Sequence, residues 1–176
     1  LLLPGQVYVD GACQTKKGVI IRKGKYHDID DATALAARYP NLTPIEVPDH
    51  LLMPGVIDSH THLTQSFGKS LVFGEPSEIF RRIWVPLESG MNERMVYLST
   101  KLSALECLRG GFTTAVDAGT RSDGCIDALA NAARETGLRS VIGFICNDLG
   151  GTANVPERDI ILEKASRHLN GWNEDP

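Results

Sequence analysis

The chain has 176 residues, enough for one domain with a substantial core, and its charged and apolar fractions of 23% and 42% are ordinary for a globular protein. The formal net charge of −4 and the absence of a Lys/Arg cluster argue against a nucleic-acid partner. No apolar run is long enough to cross a bilayer, which argues against a membrane protein. The four cysteines are scattered, without a Cys-x-x-Cys pair, and favour a reduced, cytoplasmic setting.

The first part of the chain, residues 1–54, is predicted to be a small β subdomain. Its strand-like segments are 6–9, 18–22, 45–47 and 51–53. Residues 33–38 are either one helical turn or a loop. The breaker Pro54-Gly55 then ends this part.

The rest of the chain alternates predicted strands with predicted helices. Buried strands are predicted at 56–57, 112–116 and 140–146, and residues 64–76 are predicted to be a loop. Four helices are predicted: one from Ser77 to Pro86, one from Asn92 to Gly110, one from Ser122 or Asp123 to Thr136, and one that begins at Pro156. In the second of these, one apolar stripe is formed by Met95, Leu98, Leu102, Leu105 and Leu108. This order predicts βαβ units around a parallel sheet.

Two histidines, His60 and His62, follow the first of these strands. Side chains alternate faces along a strand, so both imidazoles are expected to point the same way. Neutral imidazole is the commonest metal ligand among side chains, and such a pair can hold two corners of a zinc or iron site. A solvated strand rim is the other interpretation of a bare His-x-His. The breaker, the short apolar strand and the polar cluster at its end favour the metal site.

The segment from Met53 to Leu63 resembles the first barrel strand of the amidohydrolase superfamily, whose pattern is Pro-Gly, two apolar residues, Asp or Asn, x, His, x, His. Residues 83–88 are similar to the Trp-Pro-Leu-Glu stretch of its cytosine-deaminase and triazine-chlorohydrolase-like branch. Residues 105–117 and 128–141 resemble the helix and strand pairs that follow in that branch. The resemblance therefore covers most of the chain from about residue 45 onward.

This resemblance implies an α/β fold: the N-terminal part of a (β/α)8 TIM barrel, preceded by a small β-sandwich subdomain. Residues 1–54 would be the N-terminal part of the sandwich, and residues 55–176 the first three βα units of the barrel. A closed barrel needs eight strands, so we expect the barrel to be incomplete in this chain. We expect either a homo-oligomer or completion by a missing C-terminal part.

The implied activity is that of a metal-dependent hydrolase of carbon–nitrogen bonds other than peptide bonds. The resemblance points to the deamination of a small N-heterocycle by metal-activated water. It implies one divalent ion, zinc before iron, with His60 and His62 as its ligands, and an acid/base residue beyond residue 176. Two alternatives stay open: a prolidase-like metallopeptidase, which residues 111–119 also resemble, and a catalytically silent fragment.

Two further residues are candidates for substrate binding. Gln65 follows His62 by three residues, where purine- and pterin-deaminating relatives carry a substrate-binding Gln in a similar arrangement. A side-chain amide both donates and accepts, which suits the lactam edge of a heterocycle. Trp84 could line the pocket for the ring, or it could pack between helix and barrel.

Overall fold

A computed structural model describes residues 1–74, 78–122, 126–146 and 158–172. The predicted helix starts Ser77, Asp123 and Pro156 lie outside these residues. The chain folds into two compact units, Leu1–Pro54 and Gly55–Pro176. Each unit is described by itself below.

The first unit is a five-stranded sheet with one helix. In chain order its elements are β1 (Leu2–Val9), β2 (Ala12–Thr15), β3 (Lys17–Arg22), β4 (Lys25–Asp31), α1 (Ala32–Arg38) and β5 (Ile45–Leu52). The sheet order is β2-β1-β3-β4, with antiparallel neighbours, and β5 pairs with β1 in parallel. The sequence thus predicted the β character of this unit, while its strands are longer than the apolar segments suggested.

Turn chemistry and one helix cap explain the local structure of this unit. The Asp10-Gly11 turn joins β1 to β2 with positive φ at both residues, 52° and 79°, which favours a tight two-residue hairpin. Asp31 caps α1 by accepting hydrogen bonds from the backbone N–H groups of Thr33 at 2.9 Å and Ala34 at 3.2 Å. Residues 33–38 are therefore helical, and Leu35 in this helix is fully buried.

The second unit alternates parallel strands with helices. In chain order it contains β6 (Val56–Thr61), a 3-10 helix (Leu63–Leu71), a π-helical turn (Phe80–Trp84), α2 (Val85–Ser89), α3 (Glu93–Arg109), β7 (Phe112–Asp117), α4 (Ile126–Thr136), β8 (Arg139–Ile142) and α5 (Arg158–Trp172). The three strands among its described residues form a parallel sheet in the order β6-β7-β8. The predicted α/β class, with strands in the arrangement of a partial barrel, is confirmed.

Three expectations about individual elements are wrong. Residues 64–71 of the predicted loop belong to a 3-10 helix, Leu63–Leu71, in which Leu63, Thr64, Ser66 and Gly68 are buried under α3. Pro86 does not end a helix but is the second residue of α2, which follows directly on the π-helical turn Phe80–Trp84. β8 stops at Ile142 because this residue pairs with Asp117, the last residue of β7.

The leucine stripe of α3 is not the buried face of that helix. Leu98, Leu102 and Leu105 are each more than 40% exposed, whereas the buried residues of α3 are Val96, Ser99, Thr100, Ser103 and Ala104. Small side chains are needed there because the 3-10 helix approaches closely, with Ser99 Oγ donating to Thr64 O at 2.7 Å. The core of the unit lies between α3, α4 and the sheet, around Leu63, Met91, Val96, Ala104, Ala115, Ala128, Leu129 and Leu138.

Across the part of the chain that the structure describes, none of the helices combines the length and the apolar composition needed to span a membrane.

Candidate metal centre

The two predicted metal ligands lie at the carboxyl end of β6, the first strand of the parallel sheet. His60 is exposed and His62, the residue that follows the strand, is half-buried. Their ring centroids are 5.5 Å apart and the ring planes are inclined at 85°. The two imidazoles are therefore neighbours, one more accessible than the other, at the end of the sheet where barrel enzymes carry their active sites.

A backbone carbonyl fixes the proton on the His62 ring. Nδ1 of His62 lies 3.0 Å from the carbonyl oxygen of Gly119, in the loop after β7. A carbonyl oxygen can only accept, so Nδ1 carries the hydrogen and donates it. The other nitrogen, Nε2, then keeps its lone pair in the neutral ring, and this is the form in which histidine binds a metal.

The carboxylate of Asp117 holds the backbone around His62. Asp117 is the last residue of β7 and only 1% exposed. Its Oδ2 accepts from the N–H of Leu63 at 2.6 Å, and its Oδ1 accepts from the N–H of Gly119 at 2.7 Å. Burial raises the pKa of Asp117 above its usual value, against the two backbone hydrogen bonds, which lower it.

The donor chemistry of the pair fits a divalent metal ion, but the described residues do not complete a site. Catalytic zinc is usually held by three protein ligands and a water. Within residues 1–74, 78–122, 126–146 and 158–172, no group of three His, Cys, Asp or Glu side chains comes together. The neighbouring Asp58 accepts from the backbone N–H of His60 at 3.2 Å through Oδ1. His60 and His62 would thus supply two of the ligands.

The predicted substrate residue Gln65 is connected to the histidine pair through the 3-10 helix. Its backbone N–H donates to the carbonyl of His62 at 3.1 Å. Its side-chain Nε2 donates to Oε1 of Glu88 at 2.9 Å. Since a carboxylate only accepts, this contact uses one N–H of the amide and leaves the second N–H and the oxygen available.

Glu88 is fully buried at the end of α2 and is paired with Arg121. Its Oε2 accepts from Nη1 of Arg121 at 2.8 Å and from the backbone N–H of the same residue at 3.3 Å. The guanidinium of Arg121 also stacks 4.5 Å from the ring centroid of Phe80. These contacts tie the segments after β6 and β7 to α2.

The second predicted substrate residue, Trp84, is half-buried and its ring lies against the 3-10 helix. A Cβ atom at Gly68 would come within 2.5 Å of Cζ3 of Trp84 and 2.7 Å of Cδ2 of Leu87. Only glycine therefore allows this close approach. The contact packs Trp84 against the same short helix that carries Gln65.

No role was predicted for Gly119 or Glu88, and Asp117 was expected mainly to end its strand, although each organises the surroundings of the histidine pair. A partial signal was present for two of them. Asp117 ends a β-branched strand, and Glu88 lies in the Trp-Pro-Leu-Glu stretch. Gly119 carried no local signal, since its role depends on a carbonyl group that every residue has.

Comparison with known proteins gives a family match and several relatives. The model of the Amidohydrolase family matches residues 51–171. A 5-methylthioadenosine/S-adenosylhomocysteine deaminase from Syntrophobacter fumaroxidans is 28% identical over all of this chain and 40% of its own length. A protein of the same name from Moorella thermoacetica is 32% identical over 89% of this chain and 35% of its own length. The chain thus spans about 40% or less of the length of these curated relatives.

Solved structures share the fold. An adenosine deaminase from Xanthomonas campestris with bound zinc superposes with a TM-score of 0.80 at 22% identity, over 99% of this chain and 40% of its own. A guanine deaminase from C. acetobutylicum with bound guanine has a TM-score of 0.85 at 14% identity, over 98% of this chain and 42% of its own. At such low identity these likenesses show the fold alone. Because the family model covers well over half of the residues, this chain belongs to the Amidohydrolase family.

Proposed function

We propose that this protein is a metal-dependent hydrolase that deaminates an N-heterocycle. The observation that carries the proposal is the histidine pair at the end of β6, with Nδ1 of His62 committed to the carbonyl of Gly119 and Nε2 left for a metal. Relatives named as 5-methylthioadenosine/S-adenosylhomocysteine deaminases and 5'-deoxyadenosine deaminases support adenine nucleosides as the substrate class. The reaction replaces an exocyclic amino group with oxygen and releases ammonia.

His60 and His62 would hold one divalent ion, zinc before iron, together with ligands from outside the described residues. When bound there, the ion would supply the Lewis-acid chemistry that activates water for the hydrolysis. The neutral imidazole of His62 is prepared for this role by its Nδ1–H bond to Gly119. The acid/base group that protonates the leaving nitrogen is expected beyond residue 176.

Gln65 and Trp84 are proposed to bind the heterocycle. With one amide hydrogen committed to Glu88, Gln65 offers a donor and an acceptor to the polar edge of a purine. Trp84 offers an aromatic face beside the same 3-10 helix. The two residues would act on substrate affinity and orientation, and the histidine pair on the metal.

The test uses His60→Ala and His62→Ala in the full-length protein, with His27→Ala as the matched control. His27 is an exposed histidine on β4 in the first unit. We expect either site variant to lose bound metal, measured by elemental analysis after dialysis, and to lose ammonia release from adenine nucleosides. The control should keep both. Undiminished metal content and turnover in either site variant would overturn the proposal.

An X-Pro dipeptide in the same assay separates the deaminase from a metallopeptidase of the prolidase type. We expect ammonia from the nucleosides and no proline from the dipeptide. Proline release without deamination would contradict the substrate class proposed above and leave the histidine pair as a metal site.

A further inference from the structure

The backbone on both sides of His62 is held by the end of β7. On the N-terminal side, the carbonyl of Thr61 accepts from the N–H of Ala118 at 2.8 Å. On the C-terminal side, the N–H of Leu63 donates to Oδ2 of Asp117 at 2.6 Å. His62 therefore sits in a segment whose two neighbours are bonded to consecutive residues of one strand end.

The same carboxylate also holds the group that orients the ring. Oδ1 of Asp117 accepts from the N–H of Gly119 at 2.7 Å, and the carbonyl of Gly119 accepts from Nδ1 of His62 at 3.0 Å. A buried carboxylate with both oxygens engaged has a fixed orientation, because rotation would leave two backbone donors unsatisfied. Asp117 thus fixes both the position of the backbone next to His62 and the orientation of the His62 ring.

Close packing limits the movement of Gly119 from the other side. Its φ of +92° lies in the region that favours glycine, and a Cβ there would come within 2.9 Å of the carbonyl oxygen of Gly143 and 2.8 Å of Cγ1 of Ile145. The loop after β7 is therefore enclosed between Asp117 and the chain that follows β8. Its carbonyl has little freedom to leave the His62 ring.

We propose that Asp117 is a positioning residue for the metal ligand His62, acting through the backbone of Leu63 and Gly119. This inference rests on the proposed function, since it takes His62 to be a ligand. Both oxygens of Asp117 accept from backbone N–H groups, so this residue would act through the backbone and not as a ligand. It fixes the tautomer and the direction of the imidazole, so that Nε2 is presented to the ion without a search over ring orientations.

The experiment compares Asp117→Asn and Gly119→Ala with Gly137→Ala in the full-length protein. An Asn in place of Asp117 has one acceptor oxygen and turns an NH2 group toward one of the two backbone donors. Gly137 is the matched control: its φ is +82°, so alanine is similarly strained there, but a Cβ would meet nothing within 4 Å. Zinc affinity is measured by competition with a chelator, ligand geometry by the visible absorption spectrum of the cobalt-substituted protein, and stability by thermal unfolding of the metal-free protein.

We expect Asp117→Asn and Gly119→Ala to weaken zinc binding by about 10- to 100-fold and to change the cobalt spectrum. The control should lower the unfolding temperature and leave affinity and spectrum as in the wild type. Wild-type affinity and spectrum in both site variants, or an equal loss in the control, would overturn the inference. If one site variant fails to fold, the other decides.

Zinc binding by the wild-type protein tests the proposed function separately from the positioning role. If zinc binding by the wild-type protein does not depend on His60 and His62, the proposed metal site is wrong. The proposed positioning role of Asp117 is then wrong as well. If the wild type holds zinc through the pair and the variants are unaffected, only the positioning role is wrong.

Discussion

At the scale of single residues, Glu88 is a charged side chain held without access to solvent in the second unit. It is fully buried, and its oxygens accept from Gln65 at 2.9 Å and from Arg121 at 2.8 Å. A buried carboxylate is tolerated only when it is paired and hydrogen-bonded. Since its partners come from the segments after β6 and β7, this one side chain joins parts of the chain that are far apart in sequence.

We expect Glu88→Gln to destabilise the fold by about 3 kcal/mol, because it leaves the guanidinium of Arg121 without its counter-charge. The Arg121 side chain is 21% exposed, so water offsets part of the loss. The measurement is the free energy of unfolding in urea for Glu88→Gln, Arg121→Gln and the double variant. The double variant should cost clearly less than the sum of the two single variants. Additive losses would show that the two charges are not coupled.

The candidate site was predictable from the sequence only where its signal is local. His60 and His62 stay predicted ligands: strand alternation places two residues of one segment on one face, and the resemblance to the amidohydrolase superfamily selected them as a metal pair. The contacts of Asp117 and Gly119 could not be predicted, since their partners Leu63 and His62 are 54 and 57 residues away. Such contacts depend on strand register, which a single sequence does not specify. Gln65 was selected by resemblance, but its partner Glu88 was not.

At the scale of elements, α3 illustrates why hydrophobic periodicity was an incomplete guide. The stripe that includes Leu98 and Leu102 is regular, and yet these side chains are more than 40% exposed. The buried face is built instead from small residues such as Ser99 and Ser103, whose hydroxyl groups bond the 3-10 helix. Close contact between helices requires small side chains, and a pattern of hydrophobic residues does not indicate where small side chains are needed.

A surface cluster joins α3 to α4. The hydroxyl of Tyr97 donates to Oε2 of Glu135, and Nζ of Lys101 donates to the same oxygen at 2.9 Å and to the Tyr97 hydroxyl oxygen at 2.7 Å. Hydrogen bonds from Tyr97 and then Lys101 lower the pKa of Glu135 below its usual value. Bonds to Tyr97 and then Glu135 raise the pKa of Lys101 to about 12.

The signs of these shifts define the pH range over which the cluster stabilises the fold. For a carboxyl whose folded pKa is lowered, the contribution is present above the unfolded pKa of about 4.3 and is lost as pH falls through the folded value. For an amine whose folded pKa is raised, the contribution is complete below about 10.4 and is lost as pH rises through the folded value, here about 12. The cluster should therefore act between about pH 5 and 10.

We expect Glu135→Gln to lower the unfolding temperature in this range, by about 2 °C or less because the cluster is exposed and screened. The difference from wild type should shrink as the pH falls below about 4 and as salt is raised to about 1 M. In a Lys101→Gln background, the same substitution should have a smaller effect. A difference that stayed constant down to pH 3 would contradict the electrostatic explanation. The measurement is thermal unfolding followed by circular dichroism.

At the scale of the whole molecule, the sequence predicted the change of architecture near Pro54-Gly55 and the alternation of strands and helices after it. Both predictions rest on strong signals: a breaker pair, and long periodic segments whose type does not depend on distant contacts. Element ends were less predictable. Pro86 lies inside a helical stretch that continues from the π-helical turn Phe80–Trp84. Ile142 ends its strand where it pairs with the last residue of β7.

The two units each have a fully buried leucine in a helix, Leu35 in α1 and Leu129 in α4. Removing either side chain to alanine should cost about 2–5 kcal/mol, through lost burial and the cavity that remains. If each core stabilises its own unit, Leu35→Ala should raise amide hydrogen exchange mainly in peptides from residues 1–54. Leu129→Ala should raise it in the helices and strands of residues 55–146. Peptide-resolved exchange on the full-length protein measures both.

The same two variants are also expected to differ in zinc affinity. Leu35→Ala should leave zinc affinity at the wild-type value, because His60 and His62 and the described residues that hold them belong to the second unit. Leu129→Ala should weaken zinc retention as the unit opens more often, since a site that exists only in the folded state loses affinity in proportion to the folded fraction. Equal acceleration of exchange in both units by Leu35→Ala, accompanied by loss of zinc, would show instead that the two cores unfold as one cooperative structure.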